Sequence, residues 1–297
     1  AMTALKTLQQ TNKALETTQS RISTGYKVND AADNAAYWSI ATTMRSDNKA
    51  LSTVQDALGL GSAKVDVAYT GMNAAIKVVD EIKTKLVAAR EPGVDRSKVQ
   101  EEITQLQNQL VSITTAAAFS GENWLSVDSG DAAYSATKSI VASFNRSSAG
   151  TVSVSTVDID ISSTELFDAA DQSGILDTTF TTTGAGAATV SVSDLDITAA
   201  GIDNTDIDDM ISNVDGALAS MSTAAATLGA AKSRVSIQKD FVGELMNAID
   251  RGISTLVDAD MTAESTRLQA LQTQQQLGIQ ALSIANSGAQ SVLSLFR

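Results

Sequence analysis

The side chains that could do chemistry in this chain are carboxylates, because its 297 residues include no histidine and no cysteine. The commonest general base, the commonest zinc ligand and the thiol nucleophile are therefore missing, and no nucleophile–base pair of the usual kind can be assembled. The densest set of acids is Asp203-Asn204-Thr205-Asp206-Ile207-Asp208-Asp209. Close-set oxygens of this kind suit a hard cation such as calcium. The glycine and the closing glutamate of an EF-hand loop are absent, however, and Asp206 to Asp209 stand where acids favour a helix N-terminus. Capping is therefore preferred to metal binding, and no cofactor is expected.

Those acids head a long periodic stretch. From Ile207 to Leu256 every seventh residue is apolar: Ile207, Val214, Met221, Leu228, Val235, Val242, Ile249 and Leu256. A second track four residues on, Ile211, Leu218, Ala225, Lys232, Lys239, Met246 and Ile253, is broken only by its two lysines. The spacing predicts a heptad seam on a helix of about fifty residues, a rod of roughly 75 Å that needs partners along its length. The N-terminal half offers them. Met44, Leu51, Leu58, Val65, Met72, Val79 and Leu86 repeat at seven, and Val99, Ile103, Leu106, Leu110, Ile113 and Ala117 continue at 4-3 spacing. The expected fold is mainly α, a long coiled-coil-like bundle built from both halves with a β-rich outer domain inserted between them. Its intrachain seam is expected at Met44, Leu51, Leu58, Val65, Leu218, Leu228, Val235 and Ile249.

Composition agrees with an assembly protein more than with an enzyme. Aromatic residues make up 4% of the chain, too few for a typical compact core, while Ala, Ser, Thr and Gln abound. Without cysteine there is no disulfide framework, which fits passage as an unfolded chain into an oxidising exterior. No apolar run is long enough for a membrane helix and no signal-peptide pattern opens the chain. The sequence does not begin with Met, so a short leading piece is expected ahead of Ala1. Charge is segregated: Ser147 to Ala231 holds no Lys or Arg but thirteen acids, a number equal to the net charge of -13, so the remainder is neutral. A neutral bundle can pack on copies of itself, whereas the acidic middle would repel its copies and nucleic acid alike.

The two ends carry weaker heptads. Ala1, Leu8, Leu15 and Ile22 are seven apart, with Leu5, Asn12 and Gln19 beside them; near the other end Leu268, Gln275, Leu282, Ala289 and Phe296 form one track and Ile279, Asn286 and Leu293 the other. Such polar-spotted helices are marginal alone, should order on neighbours, and can use Asn12, Gln19, Gln275 and Asn286 to select register. Between the halves, Val152 to Ile161 and Val190 to Ile197 read as two strands of a weak repeat, and Thr181 to Ala188 as a flexible loop. Gly25, Glu91-Pro92-Gly93 and Asp260 or Thr262 mark the helix boundaries, with Asp95 or Ser97 as a further cap.

The stretch Ser20-Arg21-Ile22-Ser23-Thr24-Gly25-Tyr26-Lys27-Val28-Asn29-Asp30-Ala31-Ala32-Asp33-Asn34-Ala35-Ala36 resembles bacterial flagellin. Three further phrases are similar to that family: Phe119-Ser120-Gly121-Glu122-Asn123-Trp124-Leu125, in which Ser120 and Trp124 depart from the usual text, Val257-Asp258-Ala259-Asp260-Met261-Thr262-Ala263-Glu264, and the closing Ala281-Leu282-Ser283-Ile284-Ala285-Asn286. The likeness covers residues 1 to 125 and 205 to 297, and its departures resemble the alphaproteobacterial, rhizobial branch.

The resemblance implies a secreted, extracellular subunit that polymerises with itself and with other flagellins into the flagellar filament for swimming motility. It implies an inner core from residues 1-29 and 259-297, a helical shell from 30-125 and 205-258, and an acidic outer region from 126-204. The inner-core contacts would be Leu8, Leu15, Ile22, Leu268, Leu282, Asn286, Leu293 and Phe296. Its partners would be an export chaperone, the cap and hook-associated proteins, with neither nucleic acid nor membrane among them. The positions that family members offer an animal receptor fall on Glu81 and Lys85, with Glu102 kept, and the plant-recognised segment carries Tyr37 and Trp38; weak recognition by both is expected. The rival readings are a hook–filament junction protein, another secreted coiled-coil assembly protein, a membrane-active protein, which the ends do not favour for lack of a basic face, and a flagellin with an inserted metallopeptidase, which the absence of histidine excludes.

Overall fold

The computed structural model describes the backbone of residues 2–294 and the side chains of residues 2–288. Five helices, α1 (Met2–Thr24), α2 (Ala35–Ala89), α3 (Arg96–Ala116), α4 (Asn204–Val257) and α5 (Met261–Ser294), account for most of it. Between α3 and α4 lie eight strands in two-stranded ladders: β1 (Ala118–Phe119) with β2 (Glu122–Asn123), β3 (Ser126–Val127) with β6 (Phe167–Asp168), β4 (Thr137–Arg146) with β5 (Val152–Asp160), and β7 (Phe180–Thr181) with β8 (Thr189–Val190). The protein is thus mostly helical with a small strand-containing middle. The chain forms two compact units, residues 1–50 with 244–297, and residues 51–243.

In the 51–243 unit, α2 buries two tracks three residues apart: Leu51, Leu58, Val65, Met72, Val79 and Leu86, and Val54, Ala68, Ala75, Ile82 and Ala89. Each large side chain removed from water this way is worth about 1.5–3 kcal/mol. Helix α4 runs antiparallel to α2. Lys232 Nζ lies 2.7 Å from Asp66 Oδ1 and Lys83 Nζ 2.5 Å from Asp215 Oδ1, so a step forward along α2 is matched by an equal step back along α4.

From Ile207 to Ala231 the second buried track of α4 is not the one expected, whereas Ile253 of the expected track is buried near the end of the helix. Met210, Ala217, Ala224 and Ala231 are buried, three residues after Ile207, Val214, Met221 and Leu228, while Ile211, Leu218 and Ala225 are half-buried and Lys232 and Lys239 are exposed. Positions three and four residues on flank the same stripe, and the alanines at three let the helices approach. The lysines therefore do not interrupt the packing; Lys232 bridges to Asp66 and lies over the Tyr69 ring at 5.7 Å.

Helix α3 starts at an Asp95 cap, whose side chain accepts the Ser97 N–H. It buries Ile103, Gln107, Leu110 and Thr114, so two polar residues replace the expected Leu106 and Ile113, which are half-buried. Gln107 explains itself: its Nε2 donates to the carbonyls of Val192 (3.3 Å) and Leu195 (3.2 Å), while Gln100 bonds Leu195 O and accepts the Ile197 N–H. The 190–197 segment is consequently not a strand beyond Val190. The Val192 and Leu195 carbonyls and the Ile197 N–H are met by glutamines of α3 instead of a ladder, and Val192, Leu195 and Ile197 are buried in irregular chain. Val152 to Asp160 does form a strand, paired antiparallel with β4.

Two glycines of α2 have a packing reason. A Cβ on Gly61 would come 2.5 Å from Ile140, and one on Gly71 would meet Ala117 and Leu125 at 2.8 Å, whereas Gly59 faces open space.

In the other unit, α1 ends at Gly25, whose φ of 78° is the left-handed cap conformation that glycine adopts without strain. The chain then runs beside the α4–α5 link. Lys27 and Val28 N–H both donate to Val257 O, Ala259 N–H donates to Gly25 O, and Tyr26 bridges Asp258. Val28, Ala41 and Val257 bury together there against Leu256. The cap of α2 is Asn34, which accepts the Tyr37 N–H, and in the preceding turn Asn29 and Asp30 donate their N–H groups to Asp33.

Candidate functional site

Two places carry the residues singled out by sequence: the α1/α5 pair and the acidic run before α4. In the pair, Thr11 and Thr18 are buried, and Leu8, Leu15, Ile22, Leu268 and Leu282 are half-buried. Small threonines bring the helices close: a Cβ on Gly278 would sit 3.2 Å from Leu8 Cδ1. Gln275 Nε2 donates to Asn12 Oδ1 at 2.8 Å, so two of the polar seam residues meet. Gln19 and Asn286 are exposed. The Leu293 side chain and Phe296 lie outside the described residues.

A second polar contact of this pair has no counterpart in the heptad reading. Arg21 Nη1 lies 3.1 Å from Glu264 Oε1, and Glu264 is 8% exposed. A partly buried ion pair of long-range partners admits few helix alignments, because any other leaves a carboxylate without its cation. Thr11 and Thr18, seven residues apart and each next to Asn12 or Gln19, were the sequence signal for where α5 lies.

Large apolar side chains stay exposed on the pair. Leu277 and Ile284, seven residues apart on one face of α5, are 58% and 71% exposed, Ile279, on a different face, is 55% exposed, and Met2 and Leu5 of α1 also face solvent. Exposed apolar surface of this kind marks an interaction surface.

The acidic run is a clamp. Asp203 Oδ1 accepts the N–H groups of Thr205 and Asp206, and Asp206 Oδ2 accepts the Asp203 N–H in return, a reciprocal capping box at the start of α4. The same run holds the 182–188 loop: Asp203 Oδ2 accepts the Ala185 N–H, Asp206 Oδ2 accepts the Gly186 N–H as well as that of Asp203, and Asp209 Oδ2 takes both donors of Thr183. That loop, expected to be flexible, is thus tied at three residues. The Asp203 N–H is the largest of several bonds that lower the Asp206 carboxyl to about 2. Among the described residues no group of acids is placed to hold a metal ion, and no helix is long and apolar enough to cross a membrane.

Of the remaining sequence-selected positions, Tyr37 and Trp38 are exposed at the start of α2. Lys85 Nζ lies 2.5 Å from Glu102 Oε2 and 3.9 Å from Glu81 Oε1, a three-membered ion cluster between α2 and α3. The bond it donates to Glu102 is the main reason that the Lys85 ammonium holds its proton above the usual range.

The comparisons with known proteins follow the same division of the chain. Residues 1–129 match the bacterial flagellin N-terminal helical region and residues 211–296 the bacterial flagellin C-terminal helical region. Flagellin C of Rhizobium meliloti is 53% identical, the alignment covering all of this chain and 97% of the relative. Flagellin A of the same organism is 46% identical, covering 100% and 98%. A flagellin of Brucella melitensis is 47% identical, covering 100% and 96%. With both helical regions matched and full-length relatives of this similarity, the chain belongs to the bacterial flagellins, structural subunits of the flagellar filament and not enzymes.

Proposed function

We propose that α1 and α5 supply the inner contacts of the filament, through Leu8, Leu15, Ile22, Leu268, Leu282, Leu293 and Phe296, while α2, α3 and α4 form a coiled-coil-like shell and residues 126–204 an acidic outer region. The observation that carries this reading is the exposure of Leu277 and Ile284 on one face of α5, a helix whose other side, with Gln275 and Gly278, already packs on α1. A filament grows when one surface of a subunit fits a different surface of the next without closing a ring. Repeated burial of such side chains, about 1.5–3 kcal/mol each, can outweigh the cost of ordering the ends.

The chain would leave the cell by a dedicated export route, escorted by an export chaperone, and would assemble beneath the cap onto hook-associated proteins, together with related flagellins. A junction role is not favoured, because the full-length relatives are named as flagellins. At the receptor-facing positions, the ion cluster ties Glu102 to Lys85 and sets a second acid, Glu81, beside it. Recognition by receptors that read an arginine and a leucine there would be weak.

Electron microscopy of the purified protein, with and without its last thirty or so residues, tests the proposal. Filaments are expected from the full chain and none from the shortened one. Growth unaffected by the truncation would overturn the assignment of the ends.

A further inference from the structure

The β4–β5 hairpin turns its apolar side over partway along its length. At its root Ile140, Val157 and Ile159 share one face and are buried. Ile140 lies against Gly61 of α2, and Gln238 of α4 donates to Ala142 O at 2.9 Å, so this is the face laid on the chain's own helices. Further out that inner face is polar: Ser143 stands opposite Ser155 and Asn145 opposite Ser153, with the Asn145 amide bonded to both Ser143 and Ser155. The apolar residues have crossed to the outer face, where Phe144 pairs with Val154 and Arg146 with Val152, beside Val141 and Thr156. Val141, Val152 and Val154 are exposed and Phe144 is half-buried.

Two independent features produce the crossing at one level. In β4 the register shifts between Val141 and Ser143, and the extra residue re-aims every side chain after it. In β5 the alternation itself slips, from Val152 and Val154 to Val157 and Ile159, which moves the apolar set to the other face. A hairpin supported only by its own helices would keep its valines on the inner face. These stand away from the helices, as an exposed apolar patch made for a partner does. Rootward of the patch the same outer face carries two acids: Asp158, on which Arg234 acts, and Asp160, which is bonded by Ser162.

A receiving surface lies in the same unit. Between α2 and α3 two adjoining cavities of about 410 and 420 Å³ share Thr70, Ala74 and Ile113, and together they form a groove along α2 from Asp66 to Val78. Gly71, Ala74, Ala116 and Ala117 keep it deep, and Val67 and Ile113 make its walls apolar. Asp66, at one end, is already bridged to Lys232. Lys77, at the other, makes no salt bridge among the described residues; Asp80 and Glu81, the acids a turn further on, act on Lys83 and Lys85.

We propose that the outer face of this hairpin seats in the α2–α3 groove of a second copy of the chain, with Phe144, Val152 and Val154 over Val67, Ala74 and Ile113, and Asp158 and Asp160 toward Lys77. The occupant is a copy because a filament subunit has copies as its neighbours, and because patch and groove match in apolar character and oppose in sign of charge at one end. Patch and groove are different surfaces, so the contact passes from one copy to the next in the head-to-tail manner that an open polymer requires. The inference rests on the chain's being a filament subunit and not on the assignment of α1 and α5.

The chain has no cysteine, so introduced thiols are unique. Filaments of the full chain carrying both Val154→Cys and Ala74→Cys, treated with a short bismaleimide and run on a denaturing gel, are expected to give a ladder of multimers. Either substitution alone is expected to leave monomers, as is Val154→Cys combined with Val87→Cys, an exposed position of α2 outside the groove. Val154→Asp should raise the critical concentration for assembly about tenfold or more while leaving the melting temperature of the unassembled chain unchanged, since Val154 is exposed there. Filaments without the ladder, dimers from Val154→Cys alone, or an unchanged critical concentration in Val154→Asp would each overturn the contact. Should Val154→Asp lower the melting temperature, the cross-linking alone decides. Each of these outcomes leaves the assignment of the ends where the truncation puts it.

Discussion

Gln275 of the last helix donates its side-chain amide to Asn12 of the first, across 2.8 Å and nearly the whole length of the chain. Two polar residues that looked like flaws in separate heptads are partners. In an apolar seam such a pair favours the one alignment that joins them, at a cost in stability. Replacing both by leucine is expected to raise the melting temperature of the paired ends, while filaments of the double variant take up a mixture of curved and straight shapes under the microscope. A single native shape in the double variant would remove register control from this pair.

Asn286 is exposed in the isolated chain. Any role for it therefore lies between copies. Asn286→Leu should leave the thermal stability of the unassembled protein within about 0.5 kcal/mol of wild type, the range of ordinary surface changes, and alter filament shape. Loss of stability in the unassembled protein would place its function inside the single chain.

The glycines of α2 should separate cleanly. Gly59→Ala is expected to stabilise by about 0.5–1 kcal/mol, since the site is open and alanine is the better helix former. Gly71→Ala should destabilise by about 1–3 kcal/mol, because the new methyl meets Ala117 and Leu125 at 2.8 Å. Urea unfolding of the two variants checks both signs.

The β1–β2 turn departs from its own backbone preference. Ser120 and Gly121 both have positive φ, 53° and 82°, the geometry of a tight hairpin turn in which asparagine followed by glycine is favoured. Ser120→Asn should stabilise by about 0.5–1 kcal/mol, read as a higher denaturation midpoint with unchanged slope.

Glu165 gives the middle region a pH response. Burial pushes its carboxyl up, against the opposing pull of the Tyr134 hydroxyl, which donates to it at 2.5 Å and is itself pushed up to about 12, chiefly by burial. A folded value above the unfolded one means stability present below the unfolded value and lost as pH rises through the folded one. Asp177 is raised for the same reason. Asp168 runs the other way: burial opposes ionisation, yet bonds from Ser129, Ala170 and Ser173 hold it well below the usual range, so its contribution disappears only in strong acid. Mild acidification from neutral pH should therefore raise the melting temperature, and Glu165→Gln should flatten that rise. A wild-type melting temperature that falls steadily from neutral pH to pH 5 would contradict this.

The heptads of α2 and α4 and the turns between helices were legible because seven-residue spacing and capping chemistry are local properties of a chain. Asp95, Asp260 and the Asp203 to Asp209 run cap helices as their positions suggested, since a cap needs only its own next few N–H groups. What a stripe faces is not local. Met210, Ala217, Ala224 and Ala231 displaced the lysine-bearing track only once α2 lay against α4 and rewarded the smaller side chains. Likewise Gln107 could be read as a solvent-facing residue until the 190–197 segment came to it, and that segment could be read as a strand until α3 satisfied its carbonyls. Sequence by itself determined helices, breaks, the missing catalytic groups and family membership. Tertiary structure alone decided which flank is buried and which polar residues are paired, because each depends on a partner brought from far along the chain.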